Sequence, residues 1–233
     1  MVVAALHSTR MIHEHHITVA RTARYCTLGD VPDETRDSGM REVWYVCHGY
    51  GQLASRFLRR FAPLDDGTRL IVAPEALSRF YVEVSGASHA RAPVGASWMT
   101  REDRLSEIDD YICYLDALHA NLFPDLSRGR PEITVLGFSQ GAATACRWAV
   151  RGAVRPDRLI LWGGLIPPDL DLAASADALR ALQIITVTGD HDEHVPPTAL
   201  ADQRDRLAHH GLEPREVSFA GGHTIDPDVL RTL

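Results

Sequence analysis

The sequence contains no lysine; all 24 of its basic side chains are arginine. A Schiff-base lysine and the lysine of a phosphate-binding P-loop are therefore excluded as the basis of its chemistry. Cysteine is scarce. Cys26, Cys47, Cys113 and Cys146 are scattered and form no C-x-x-C pair, so they read as the reduced thiols of a cytoplasmic protein. No apolar run is long enough to cross a bilayer, and the opening MVVAALHSTR lacks the basic start and apolar length of a secretory signal. Net positive charge is also lacking. At −7 the chain is unsuited to a nucleic-acid backbone. What remains is ordinary globular material. The 233 residues, 45% of them hydrophobic, are enough for one sizeable core, and one domain spanning 1–233 is expected.

Apolar runs of strand type recur at REVWYVCHG, RLIVAPE, ITVLGFS, RLILWGG, QIITVTGD and REVSFAGG. Helical patterns lie between them. The longest is TREDRLSEIDDYICYLDALHANLF, where Thr100 offers a cap and Leu105, Ile108, Ile112, Leu115 and Leu118 share one face. Shorter ones occupy ASRFLRRF, QGAATACRWAV, ADALRAL and TALADQRDRLAHHG, the last with Gly211 at its C-terminal end. Such alternation predicts an α/β fold, a mostly parallel sheet with helices on both faces. The early run HITVARTARYCTL precedes the first crossover and suits an antiparallel edge strand. There are no repeats and no low-complexity linker.

One junction stands out. In ITVLGFSQGAATACRWAV a strand runs into a helix through Gly137-x-Ser139-x-Gly141. This is the pattern of a nucleophile elbow. The turn is so tight that flanking side chains would collide with the strand or the helix. It raises the serine hydroxyl above the sheet and aims the positive end of the helix at the reacting centre. A serine hydroxyl needs a base, and the base an orienting acid. With this fold both follow the nucleophile in the chain, on loops after later strands. His223 lies just past FAGG, after the last strand, and suits the base. His191 and His194 precede that strand, and His209 and His210 fall in a helical pattern. His13, His15 and His16 sit in an exposed strand start and do not suggest a metal site. For the acid the loop after QIITVTG offers Asp190, Asp192 and Glu193.

These motifs, in this order, resemble the phospholipase/carboxylesterase family of α/β-hydrolases, which includes the acyl-protein thioesterases. The resemblance covers nearly the whole chain. It implies an α/β-hydrolase fold, and because the strands and helices of that core use most of the 233 residues, no separate lid domain is expected. That family carries G-x-x-D-x-x-V-P, and GDHDEHVP places Gly189, Asp192, Val195 and Pro196 on it, making Asp192 the triad acid. The family's H-G-x-G matches CHGYGQLASRF and implies an oxyanion hole from the backbone N–H groups of Tyr50 and Gln140. PEALSRFY and GASWMTREDR look like a bacterial esterase-like branch. Gln52 departs from the thioesterases, which tend to have aspartate there.

The function so implied is hydrolysis of a small-molecule carboxylic ester by Ser139, His223 and Asp192 through an acyl-enzyme. No metal or organic cofactor is expected. Thioester hydrolysis, lysophospholipase activity and a catalytically inactive binding module are the alternatives. The insertion EALSRFYVEVSGASHARAPVGASWMT carries Phe80, Tyr81, Trp98 and Met99, which are expected to wall a shallow acyl groove.

Overall fold

The computed structural model describes residues 12–30, 41–83, 92–124 and 130–233. Seven strands form one sheet: β1 (Tyr25–Leu28), β2 (Glu42–Cys47), β3 (Arg69–Pro74), β6 (Glu132–Phe138), β7 (Arg158–Trp162), β8 (Gln183–Gly189) and β9 (Arg215–Phe219). Their spatial order is β1-β3-β2-β6-β7-β8-β9. Only β1 is antiparallel, pairing with β3 at the edge as its mixed pattern suggested. The strand is short, because the rest of the early run is extended chain. The other six strands are parallel.

The six expected apolar runs are six of these strands. Two more strands were not evident from the sequence. Within the insertion, β4 (Ser78–Tyr81) and β5 (Val94–Ser97) pair as a separate antiparallel hairpin. Five helices connect the sheet: α1 (Ala54–Leu58), α2 (Arg104–Leu122), α3 (Gln140–Arg151), α4 (Leu172–Arg180) and α5 (Pro197–Ala208). A short α6 (Pro227–Leu230) follows β9. Among the described residues no helix is long and apolar enough to cross a membrane.

Alternation along the strands divides the core. Val43, Tyr45, Cys47, Ile133 and Val135 face α2 and α3, while Trp44, Val46, Leu136 and Phe138 face α1 and α6. The long helix departs from its sequence reading. It starts at Arg104 with Asp103, at φ 45°, as its N-cap. Thr100 does not cap it; its N–H and hydroxyl go to the Glu107 carboxylate. Leu105 is 69% exposed, and the buried face runs through Ile108, Tyr111, Ile112, Leu115, Leu118 and Leu122.

The order of strands has a consequence for function. From β2 the chain steps out to β3, returns to β6 on the other side of β2, and then continues away through β7, β8 and β9. The connections after β2 and β6 therefore diverge at the carboxyl edge of the sheet, where ligands bind in open α/β sheets. Cys47 and Gly137 are register partners, so the loops after these two strands leave the sheet at one level.

Below that edge lies a buried carboxylate. The Glu75 side chain is inaccessible and accepts from Arg24 Nε and Nη2 at 3.0 and 2.6 Å, Arg79 Nε at 2.6 Å and the Ala54 N–H at 3.3 Å. It thereby joins the end of β3 to the chain before β1, the start of α1 and the β4–β5 hairpin. Burial would raise its pKa, but the bonds and charges of the two arginines outweigh that and hold the carboxyl below the usual range. Because the folded value lies below the unfolded one, the contribution is complete above the unfolded value and is lost as pH falls through the folded one. Glu75→Gln is expected to destabilise the fold at pH 7 by about 1–3 kcal/mol. It should also flatten the fall in Tm on acidification below about pH 4. Parallel Tm–pH curves for the two proteins, followed by circular dichroism, would show that Glu75 is not the acid-sensitive group.

Candidate active site

Gly137 and Gly141 are required by contact. A Cβ on Gly137 would meet the Gly141 carbonyl oxygen at 2.1 Å, and one on Gly141 would meet that of Cys47 at 2.1 Å. The strand–helix turn thus packs backbone on backbone. Ser139 between them has φ 55° and ψ −119°, a strained conformation for any residue with a Cβ. Its N–H donates to the Trp162 carbonyl at 2.9 Å, which fixes the turn to β7. α3 begins at the next residue.

The loops after β8 and β9 are built against each other. Asp192 has a side chain 1% exposed; its Oδ2 lies 2.8 Å from His223 Nδ1, and its Oδ1 accepts from the His194 N–H at 2.9 Å. Asp190 is 48% exposed and accepts from the Gly221 N–H, which holds its carboxyl below the ordinary range. Its role is to tie the two loops together. The resemblance had singled out Asp192, and Asp192 is the carboxylate paired with His223. Gly189 must be glycine because a Cβ there would meet the Gly221 carbonyl oxygen at 2.2 Å. The indole of Trp162 donates to the Thr224 carbonyl at 2.8 Å and anchors the far side of His223.

His223 stands beside the serine turn. Phe138, immediately before Ser139, packs its ring on the imidazole with centroids 4.7 Å apart, and His194 meets it edge-on at 4.4 Å. His223 and Asp192 are hydrogen-bonded to each other; no hydrogen bond joins His223 to the Ser139 hydroxyl. Catalytic hydrogen bonds of free enzymes are often long and tighten when substrate binds.

The Gly163-Gly164 pair was not singled out from the sequence. Gly163, at φ 55°, leaves room for His223 and Asp192, whose nearest atoms would lie 3.1 and 3.2 Å from a Cβ. Gly164 lies against the Ser139 carbonyl. The signal was present as two glycines at the carboxyl end of a strand.

The loop after β2 is equally constrained. The Gly49 N–H donates to Gln52 Oε1 at 2.8 Å, and Gly51 and Gln52 bond to Ala96 on β5. Gln52, the departure from the thioesterase pattern, therefore closes this turn. His48 is buried and accepts the Ala76 N–H at Nε2. Its proton is thus on Nδ1 and donates to the Gly49 carbonyl. Burial lowers its pKa and keeps it neutral. The backbone N–H groups of Tyr50 and Gln140 have no partner among the described residues.

The expected acyl wall needs correction. Trp98 is 2% exposed and packs between His48 and Tyr111. Its indole N–H is used by the His48 carbonyl, so it belongs to the core and does not line a groove. Met99 is half-buried against the same core. Phe80 does reach the loop after β2, stacking on Tyr50 at 5.0 Å; Tyr81 lies on the opposite face of β4.

No known family's sequence profile matches the chain, and no curated protein does. Solved structures do. Esterase PE8 is 25% identical with a TM-score of 0.63, over 91% of this chain and 96% of its own. Zea mays acyl-protein thioesterase 2 is 17% identical with a TM-score of 0.63, over 91% and 97%. A phospholipase/carboxylesterase from Dyadobacter fermentans is 20% identical with a TM-score of 0.60, over 92% and 96%. The chain has the α/β-hydrolase fold, and these neighbours carry the family names that its motifs suggested.

The two carboxylates of the β8 loop are separated by a direct measurement. Asp192→Asn is expected to reduce kcat for ester hydrolysis by about 10⁴-fold, because an amide facing Nδ1 selects the wrong tautomer. Asp190→Asn should cost far less. The opposite ranking in steady-state kinetics would reassign the acid.

Proposed function

We propose that the chain is a serine hydrolase that cleaves carboxylic esters of small acyl groups. The observation that carries this reading is a strained serine at a strand–helix elbow, on the same sheet edge as a histidine paired with a buried aspartate. Ser139 Oγ attacks the ester carbonyl while His223 Nε2 takes its proton. Asp192 accepts from Nδ1–H, keeps Nε2 basic and stabilises the imidazolium that forms. The tetrahedral oxyanion is held by the N–H groups of Tyr50 and Gln140, the latter at the positive end of α3. As the intermediate collapses, the C–O bond to the alcohol breaks and His223 returns the proton to it. Water then attacks the acyl-enzyme by the same route, releasing the acid and regenerating Ser139. Each step uses groups of this chain alone.

The β4–β5 hairpin bears on substrate size. Gly51 N–H donates to the Ala96 carbonyl at 2.9 Å and Ala96 N–H to the Gln52 carbonyl at 3.1 Å, so β5 is stitched to the loop beside the serine. The hairpin therefore forms a fixed rim, with the Tyr50–Phe80 pair on it. A fixed rim favours short acyl groups and gives no interfacial opening.

Ser139→Ala is expected to fold with an unchanged Tm, to lose all hydrolysis, and to lose labelling by a fluorophosphonate probe. Labelling of the alanine variant, or failure of the wild type to label, would overturn the reading; the latter would leave an inactive hydrolase fold. In a matched panel, 4-nitrophenyl acetate and butyrate should give higher kcat/KM than the palmitate, with no jump in rate when an interface forms. Faster turnover of acyl thioesters than of the matching esters would move the assignment to a thioesterase.

A further inference from the structure

We propose that the end of the hairpin, residues 97–99, is a positioning clamp that sets the spacing of the two oxyanion N–H groups, with Trp98 and the side chain of Gln140 as its two arms. This rests on the hydrolase reading for its consequence, but the clamp itself is a matter of geometry.

The two donors of the proposed hole come from the connections after different strands. Tyr50 lies in the loop after β2 and Gln140 at the start of α3. An oxyanion hole works only if its donors are fixed at hydrogen-bond distance from one oxygen before the charge develops. Register sets the height of the two loops, and the bonds of Gly51 and Gln52 to Ala96 tie the far end of the loop after β2 to β5, which leaves its near end, at His48, to be tied to α3. The structure bridges them through the hairpin. On one side the Gln140 carboxamide uses its oxygen to accept the Trp98 N–H at 3.0 Å. Its nitrogen donates to the Met99 carbonyl at 2.8 Å and to Ser97 Oγ at 3.2 Å. Ser97 Oγ in turn donates to the Met99 carbonyl at 2.8 Å. On the other side the Trp98 indole N–H reaches back 2.8 Å to the carbonyl of His48, the residue that opens the Tyr50 loop. His48 is held from below by the Ala76 N–H and bonds onward to Gly49. The path from one loop to the other is thus a chain of directed hydrogen bonds. Trp98 and His48 are both buried and their rings lie 5.2 Å apart.

Neither arm touches substrate. A buried indole N–H must find an acceptor, and the one it takes here is the carbonyl that opens the Tyr50 loop; the Gln140 carboxamide is likewise turned onto the hairpin. Both are spent on backbone groups of the two loops that flank Ser139. The hairpin is therefore the gauge of the oxyanion hole.

The test uses the purified full chain and two variants. Trp98→Phe keeps a ring in the core and deletes the N–H. Gln140→Met keeps the backbone donor and similar bulk but deletes the carboxamide's hydrogen bonds to Ser97, Trp98 and Met99. Backbone hydrogen–deuterium exchange of residues 48–52, read against the rest of the chain, reports the clamp. Turnover of 4-nitrophenyl acetate reports its consequence. Both variants should exchange faster at 48–52 while β6–β8 remain protected. Each should lower kcat by about 10–100-fold, as expected when a reacting group is misplaced by an ångström. KM should stay within about twofold, since the lost interaction belongs to the transition state. Unchanged exchange at 48–52 would overturn the proposal, as would faster exchange with kcat retained, or a loss appearing only in KM. A wild type whose turnover does not depend on Ser139 would refute the hydrolase reading, and the exchange arm would still decide whether the clamp exists.

Discussion

The first turn of α3 lies against the end of β2 with only backbone between them. A single methyl group on Gly141 would come within 2.1 Å of the Cys47 carbonyl oxygen and 2.6 Å of that of His48. This contact brings the positive end of a helix to the point where the strand order diverges, and it dictates much else. It forces Ser139 into the left-handed half of backbone space. It also places the loop after β2 directly beside the serine, so that a Cβ on Gly49 would lie 3.2 Å from the Ser139 Cβ. A strained residue persists only where its surroundings over-determine it. Here that is done by the Ser139 N–H bond to β7, by the Ala142 N–H bond to the Ser139 carbonyl, and by Gly164 packed beneath.

How much of this can be read from sequence depends on the range of the interaction. The six parallel strands were legible because a strand buried on both faces is a continuous apolar run, and Val43–Cys47 or Leu159–Trp162 has nothing else to be. The elbow was legible because its steric demand is local, two glycines within five residues. The choice of Asp192 over Asp190 was not legible from the residues themselves. Both follow the same strand within three positions, and only the packing of the β9 loop buries one and leaves the other in water. It took the family resemblance to choose. The hairpin was missed because β4 and β5 are four residues each and are held by partners outside themselves. Gly95 shows why: a Cβ there would sit 2.5 Å from the Gly51 carbonyl oxygen, so the strand exists to receive a loop some 45 residues earlier. Trp98 was misread for the same reason. An aromatic residue in an insertion next to an active site suggests a wall, and nothing local reveals that its N–H is committed to His48.

A cation inventory made only of arginine suits this architecture. A guanidinium offers several donors in a plane and keeps its charge when buried. Glu75 takes two of them side by side, where a lysine would supply one point charge to a carboxylate with no access to water. Arg147, itself buried, spans Asp169, the Tyr111 hydroxyl and the Met99 sulfur. Arg206 donates to the carbonyls of Ile166 and Pro167. Both hold the segment after β7, which also receives Gln203 through the Ile166 N–H at 2.7 Å. That segment begins with Gly163 and Gly164, the residues that leave space for His223 and Asp192 and lie against Ser139.

Departures from local preference mark the same edge. The strained serine, the buried neutral His48 and the crowded glycines Gly137, Gly141, Gly163, Gly164 and Gly189 lie at the carboxyl edge of the sheet, and the two arginines whose Nε atoms are buried without a partner hold the segment after β7. Asp103, strained at the start of α2, follows the hairpin end that bonds to Gln140, while Gly29, Gly67 and Gly211 have positive φ elsewhere in the fold. At the opposite, amino-terminal edge Arg158 lies over Trp44 and pairs with Glu42 and Glu132. What the carboxyl edge alone has is a strained residue with a reactive side chain, Ser139, packed between crowded glycines. Proteins that carry a site hold such residues, because a reacting centre has to be held in a geometry that no single residue prefers. In this chain the strained serine is over-determined by its bond to β7, by the first turn of α3 and by backbone packed directly against backbone.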